Sequence, residues 1–173
     1  PKLYGFDASK VTSQHFWDQM DNVGEKDIEK IEDDIIKKIL KKYNLTCSVL
    51  FYDTTNFYTY IQTKNNRSHL TQRGHNKQKR HDLKQFNLAL LTTKDFLLPL
   101  LHYIYEGQKN DVSIFPDYLR VMLKRLRNII SQIEDVTLVF DKGNNCPKAI
   151  KILEEKKVGY VGSLSIHSHK DLI

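Results

Sequence analysis

The sequence predicts an α/β domain in which a mixed β-sheet carries helices on its faces. Two short apolar runs, Val49–Tyr52 and Val136–Phe140, each end on an aspartate, Asp53 and Asp141. Around them, segments with the apolar alternation of strands are interleaved with segments that have helical periodicity. This order is typical of a sheet covered by helices.

The N-terminal residues 1–44 are predicted to form a helical segment that leads into the main domain, residues 45–173. We expect a short helix at Ser13–Met20 and a longer one at Glu25–Tyr43. The acidic residues within 25–34 are interpreted as a solvated helix face rather than a metal site. The buried positions expected in the longer helix follow helical spacing, and either Ile31 or Glu32 fits the second of them. They are Ile28, Ile31 or Glu32, Ile35, Ile39 and Tyr43.

The first acid-ended run is predicted to be one arm of an antiparallel hairpin. Thr54–Asn56 is the expected turn and Phe57–Gln62 the second arm. The polar, basic stretch Thr63–Lys84 has almost no apolar residues, so we expect a functional loop rather than core. The elements expected downstream, in chain order, are two strands, a helix, the second acid-ended strand, a helix and a strand: Gln85–Leu91, Phe96–Tyr105, Asp117–Ile133, Val136–Phe140, Lys148–Lys156 and Val158–Gly162.

Composition narrows the classes of protein to consider. The 173 residues fit one domain, or one domain with an appendage, and a 40% apolar content suffices for a core. No apolar run approaches the ~20 residues that span a bilayer, and no signal peptide is evident. Cys47 and Cys146 are expected to be free thiols in a reducing cytoplasm. Because the chain begins at Pro1 rather than at methionine, we expect a piece of a longer protein.

The net charge of +6 is unevenly distributed along the chain. Residues 1–34 carry 4 Lys and Arg against 9 Asp and Glu, which gives −5, and residues 35–173 carry 23 against 12, which gives +11. A basic body indicates a polyanionic partner such as nucleic acid, with an ordinary basic surface as the alternative.

Asp53 and Asp141 are the candidate catalytic residues. If their strands are adjacent and parallel, both acids lie at the carboxyl edge of the sheet, where open α/β sheets bind ligands. Two close carboxylates repel each other, and a hard divalent cation such as Mg²⁺ or Mn²⁺ relieves the repulsion. In the simpler alternative each aspartate only caps a turn, Asp53 toward Thr55 and Asn56 and Asp141 toward the turn at Gly143.

Four motifs in a fixed order resemble a known family. They are FYDTTNFYTY at 51–60, QRGHNKQKRHDLKQFNLALLTTKDFLLPLLHYIYEG at 72–107, TLVFDKGNN at 137–145 and GYVGSL at 159–164. Together they resemble the catalytic core of bacterial and archaeal insertion-sequence DDE transposases over nearly the whole chain. The resemblance implies an RNase H-like fold with a mixed five-stranded sheet flanked by helices, incomplete at the C-terminus. It also implies DNA binding and Mg²⁺-dependent strand cleavage and transfer.

The resemblance assigns the first metal-binding catalytic acid to Asp53 and the second to Asp141. The family's third acid is a glutamate in a tyrosine-arginine-glutamate-lysine signature, which does not occur before Ile173. Glu154 and Glu155 come too early, on the helix directly after the second acid. We therefore expect this chain alone to be inactive.

The basic stretch acquires an expected role from the same resemblance, which is to bind the phosphates of transposon ends without regard to base sequence. The residues expected to do this are basic and lie in one segment: Arg67, Arg73, His75, Lys77, Arg80 and Lys84. A solvated loop is the alternative. The implied partners are transposon-end and target DNA in a prokaryotic cytoplasm, at the nucleoid, and a homodimer is left open. An RNase H-like nuclease without strand transfer and a non-catalytic DNA-binding remnant remain alternative functions.

Overall fold

A five-stranded mixed sheet forms the centre of the molecule. The computed structural model describes residues 2–3, 6–7, 11–62, 64, 67–75 and 79–163. The strands in chain order are β1 (Lys2–Leu3), β2 (Phe6–Asp7), β3 (Val49–Thr59), β4 (Lys84–Thr93), β5 (Pro99–Glu106), β6 (Thr137–Phe140) and β7 (Gly159–Gly162). β1 and β2 form a separate pair, and the main sheet has the order β5-β4-β3-β6-β7. Because β3 is antiparallel to β4 and parallel to β6, the predicted mixed five-stranded sheet is confirmed.

Helices flank this sheet, and their starts follow local capping. They are α1 (Ser13–Met20), α2 (Glu25–Tyr43), α3 (Asp111–Ile129) and α4 (Pro147–Glu155). α1 and α2 have the predicted bounds, whereas α3 begins before the predicted Asp117. The Asn110 side chain accepts a hydrogen bond from the Val112 N–H and so caps the earlier start. Pro116 is therefore inside the helix, where it forfeits a backbone donor, rather than at its first turn.

The hydrophobic core lies between one face of the sheet and helices α3 and α4. The Tyr52 ring packs on Phe115 with ring centroids 4.5 Å apart, and Phe115 packs on Phe140 at 5.3 Å. Leu119 of α3 and Leu153 of α4 are fully buried in the same cluster. The residues that alternate with Tyr52 along β3 therefore point to the opposite face.

The predicted hairpin at Thr54–Asn56 is wrong, because β3 continues through it as one strand. Its antiparallel partner is β4, which pairs with nearly all of its length. Thr54 donates its hydroxyl to Asp111 Oδ2 at 2.9 Å, and Asn56 donates its amide to Asn87 Oδ1 at 2.7 Å. The polar side chains that suggested a turn are thus satisfied within the folded sheet.

α2 is attached to the domain by an ion-pair cluster as well as by apolar contacts. Arg125 Nη2 lies 2.7 Å from Glu32 Oε2 and 2.6 Å from Asp33 Oδ1, and Glu32 Oε1 lies 2.7 Å from His102 Nδ1. The interpretation of the acidic run as a solvated face is wrong for these two acids, whose side chains are only 19% and 16% exposed. The buried apolar residues of α2 are Ile36 and Leu40, and those exposed are Ile28, Ile31, Ile35 and Tyr43.

Cys47 and Cys146 are free and half-buried, as predicted, and burial raises the pKa of the Cys47 thiol. Within the described part of the chain, no helix combines the length and the apolar character needed to cross a membrane.

Candidate active site

The parallel pairing of β3 with β6 brings Asp53 and Asp141 to neighbouring positions. Tyr52 and Phe140 are register partners, and each aspartate is the next residue along its own chain. Neighbouring strands lie about 4.8 Å apart. Since Tyr52 and Phe140 both point into the core, the alternation of side chains places both aspartates on the opposite face, where both are exposed.

The two aspartates differ in their place along the strands. Asp141 follows the end of β6, but Asp53 lies within β3, which continues to Thr59. The sequence predicts Asp53 at a strand end, because the polar residues that follow it have the composition of a turn. Only Asp141 therefore lies at the carboxyl end of a strand. Asp53 lies beside that end, within the longer strand β3.

Asp53 is held by a hydrogen-bond chain that joins three elements. The Thr54 N–H donates to Asp53 Oδ1 at 2.8 Å, and the Thr54 hydroxyl donates to Asp111 at the first turn of α3. The buried Tyr105 of β5 donates its hydroxyl to the other oxygen of Asp111. Burial, reinforced by the hydrogen bond to Asp111, raises the pKa of Tyr105 well above its ordinary range. Tyr105 lies within the motif at 72–107 and Asp111 lies outside all four motifs, and neither was predicted to be a site residue.

Asp141 is held differently, by a residue that follows it closely. It is the N-cap residue of the 3₁₀ turn Lys142–Asn144, yet its carboxylate makes no capping bond to the backbone of that turn. Its Oδ1 instead accepts from the Asn144 side-chain amide at 2.8 Å. Gly143 lies against the same carboxylate, so that a Cβ built there would be 3.3 Å from Oδ1. Asp141 thus holds this turn, as the simpler alternative expects, but through the Asn144 side chain and not through a backbone N–H.

The two carboxylates fit part of a divalent-cation site. In each, Oδ1 accepts one hydrogen bond, and no hydrogen bond from the described residues reaches Oδ2. Hard carboxylate oxygens of this kind suit Mg²⁺ or Mn²⁺, which retain several waters and need only one or two protein carboxylates. Across the described ranges, no group of three or more His, Cys, Asp or Glu side chains is placed to hold a metal ion.

The basic stretch lies at the far end of the sheet rather than beside the acids. Gln72 and Gln85 exchange backbone hydrogen bonds of 2.9 and 2.8 Å, which fixes the stretch to the start of β4. That start pairs with Thr59, whereas Asp53 pairs with Leu90. At about 3.4 Å per residue the separation along β3 is roughly 20 Å.

The basic residues singled out from the sequence have different surroundings. Three of them are exposed, namely Arg67, Arg73 and His75. Arg80 makes a two-pronged ion pair with Asp82, at 2.9 and 2.8 Å, and this contact lowers the pKa of Asp82 to about 2. Lys84 is only 8% exposed and so offers little surface to a partner. Lys77 lies outside the described residues.

Gly74 is the point at which the basic stretch packs directly against the backbone of Gly107. A Cβ built at position 74 would lie 2.0 Å from the Gly107 carbonyl oxygen, so this close contact requires glycine. Gly74→Ala is expected to destabilise this contact by about 1–3 kcal/mol. Since each 1.4 kcal/mol is about tenfold in an equilibrium constant, trypsin is expected to cut after Arg73 about ten times faster or more. Gly24→Ala is the control, because only the Asp27 carboxylate, at 3.4 Å, approaches that position. Equal cutting of Gly74→Ala and wild type would contradict the prediction.

Comparison with known proteins finds similarity in structure but not in sequence. No protein-family model and no curated protein matches the chain. A pre-cleavage Mos1 transpososome matches with a TM-score of 0.48 and 9% identity, over 95% of this chain and 47% of that one. The catalytic domain of Mos1 mariner transposase matches with a TM-score of 0.45 and 9% identity, over 82% and 63%. A piggyBac transposase synaptic complex with hairpin DNA matches with a TM-score of 0.45 and 14% identity, over 92% and 35%.

The chain thus spans less than two thirds of each of these solved chains. At such low identities the similarity concerns the fold alone, and the function has to be argued from the site.

Proposed function

We propose that this chain is the catalytic core of a DDE transposase of the insertion-sequence type, which cuts DNA at a transposon end and joins it to target DNA. The observation that supports this most is the parallel pairing of β3 with β6, which brings Asp53 and Asp141 side by side on one face. The motif resemblance around these two residues supports the same assignment, because it gives both the role of metal-binding acids.

In this proposal Asp53 and Asp141 would hold the divalent cation. When bound, Mg²⁺ or Mn²⁺ supplies Lewis acidity, which activates an attacking water or hydroxyl and stabilises the leaving oxygen of a phosphodiester. The chain's own contribution is to fix the two carboxylates, through the Thr54 N–H on one side and Asn144 on the other. A third carboxylate, the glutamate implied by the resemblance, completes the set, and the described residues place no third acid with these two.

The reaction proposed has two steps. Water attacks a phosphodiester at the transposon end and breaks its P–O3′ bond, which leaves a 3′ hydroxyl and a 5′ phosphate. That 3′ hydroxyl then attacks a phosphodiester of the target, forms a new phosphodiester and releases a 3′ hydroxyl of the target strand. The test is a product analysis of the full-length protein with a labelled duplex of the element's end, a target plasmid and Mg²⁺. Cleavage followed by covalent joining of the label to the plasmid is the expected result.

Other products would favour the alternatives and overturn the proposal. Cleavage without joining favours an RNase H-like nuclease. DNA binding with neither product, unchanged when EDTA removes the cation, favours a non-catalytic DNA-binding remnant.

Phosphate binding by the basic stretch is tested through its salt dependence. Arg73 is exposed beside the anchored segment, and each phosphate contact contributes close to one unit to the slope of log K against log salt. Arg73→Ala is therefore expected to reduce the slope by about 1 for all DNA sequences alike. Arg120→Ala, an exposed arginine of α3 paired with Asp117 at 3.3 Å, is the control and is expected to leave the slope unchanged. An unchanged slope for Arg73→Ala would place the phosphates elsewhere.

A further inference from the structure

Among the described residues, Asn144 is the one buried polar residue whose side chain hydrogen-bonds to an acid of the candidate site. It is 1% exposed, and its amide nitrogen lies 2.8 Å from Asp141 Oδ1. An ionised carboxylate has only acceptors, so only the NH₂ end of the amide can face it. The orientation of the Asn144 side chain is therefore fixed by its contact with Asp141.

The other end of the same amide has no partner among the described residues. Asn144 Oδ1 is buried and accepts no hydrogen bond within the described part of the chain. A buried acceptor without a partner costs folding free energy, and an apolar residue of the same shape avoids that cost. Stability alone therefore does not explain an asparagine at this position, whereas the bond to Asp141 does.

The contact also explains why the carboxylate does not cap its own turn. An aspartate at an N-cap ordinarily accepts from a backbone N–H two or three residues on, but Asp141 makes no such bond. Asn144 takes Oδ1 instead, and Gly143 leaves the space beside the carboxylate free of a side chain. The carboxylate is thereby held against the turn through Oδ1, and no hydrogen bond from the described residues reaches Oδ2.

We infer that Asn144 is a positioning residue, whose buried amide engages one oxygen of Asp141 and leaves the other for the divalent cation. This inference rests on the proposed function, because it requires that Asp141 bind the cation. Residues that orient metal ligands through hydrogen bonds typically change metal affinity by about 10–100-fold when they are replaced.

The test compares two buried asparagines of the same domain. Asn144→Leu keeps the branched shape of the side chain, removes the acceptor that has no partner among the described residues, and removes the donor to Asp141. Asn87 is also 1% exposed, but its amide donates to the Glu106 and Lys109 carbonyls at 3.1 and 3.2 Å and touches neither acid. Asn87→Leu is therefore the matched control.

Free Mn²⁺ is measured by electron paramagnetic resonance with the full-length protein, and thermal unfolding is followed in parallel. Asn144→Leu is expected to weaken Mn²⁺ binding about tenfold or more without lowering the melting temperature. Asn87→Leu is expected to do the reverse, lowering the melting temperature and leaving Mn²⁺ affinity as in the wild type. The same measurement is made with Asn144→Ala, because alanine also removes the donor to Asp141 but adds no bulk that could perturb the turn.

Each other outcome overturns a definite statement. If Asn144→Leu and Asn144→Ala bind Mn²⁺ like the wild type while Asp141→Asn does not, the positioning role is wrong and the proposed function stands. If Asn87→Leu weakens Mn²⁺ binding as much as Asn144→Leu, the effect is a general loosening and the role is again wrong. If Asp141→Asn binds Mn²⁺ as tightly as the wild type, the proposed metal site itself is wrong.

Discussion

Replacing Asp53 or Asp141 by asparagine is expected to lower the rate of DNA strand cleavage about a thousandfold or more while leaving the fold intact. Asparagine keeps the shape of the side chain and removes the negative charge that holds the cation in the proposed site. Charge stabilisation by a catalytic metal is worth several kcal/mol, and each 1.36 kcal/mol is a factor of ten in rate. Because both side chains are exposed, little folding free energy depends on their charge.

The measurement is single-turnover cleavage by the full-length protein, with circular dichroism to confirm folding. Asp117→Asn is the control, because Asp117 is an exposed acid of α3 that pairs with Arg120 and Lys148 at 3.3 and 3.2 Å, outside the site. A folded Asp53→Asn variant that cuts at the wild-type rate would remove the first acid from the proposal.

Arg125→Ala is expected to cause the largest loss of stability, about 3–5 kcal/mol, because it removes one partner of a buried ion-pair cluster. The Arg125 side chain is only 12% exposed and faces both Glu32 and Asp33. Its removal leaves two poorly solvated carboxylates close together without a cation. Urea unfolding, with the midpoint and the slope fitted separately, measures the change.

Two further variants separate the charge effect from lost packing. Arg120→Ala, whose ion pair with Asp117 is exposed, is expected to cost no more than about 1 kcal/mol. In the Arg125→Ala background, Asp33→Asn is expected to restore part of the loss, because it removes one of the stranded charges. A loss below about 1 kcal/mol for Arg125→Ala would mean that Ile36 and Leu40 alone hold α2 in place.

Local rules predicted the helices that depend on local contacts. α1 and α2 begin and end at the predicted residues, because capping residues and periodicity act over one turn. The start of α3 was missed since Pro116 suggested a first turn, whereas the Asn110 cap and the contacts of Asp111 set an earlier one. The buried side of α2 could not be predicted from local contacts either. Arg125, which pairs with Glu32 and Asp33 on that side, lies far away in the sequence.

The error at β3 has a non-local cause as well. Thr54 and Asn56 have the composition of a turn, and their partners Asp111 and Asn87 are brought to them only by the folded sheet. The two candidate acids were accessible from sequence because each ends an apolar run. What holds them was not accessible. Asn144 follows Asp141 by three residues, yet its burial and its orphaned oxygen emerge only in the folded chain.

The unequal pairing of β3 gives the two halves of the candidate site different resistance to local opening. β4 pairs with β3 from Leu50 to Thr59, whereas β6 pairs with it only from Val49 to Tyr52. Local opening costs least free energy where contacts are fewest, and an opening of the short β3–β6 ladder would take Asp141 away from Asp53. In the proposed site, a cation held by both acids would bind only the closed sheet and would therefore favour it by mass action. Cation capture and completion of the sheet would then be one coupled equilibrium.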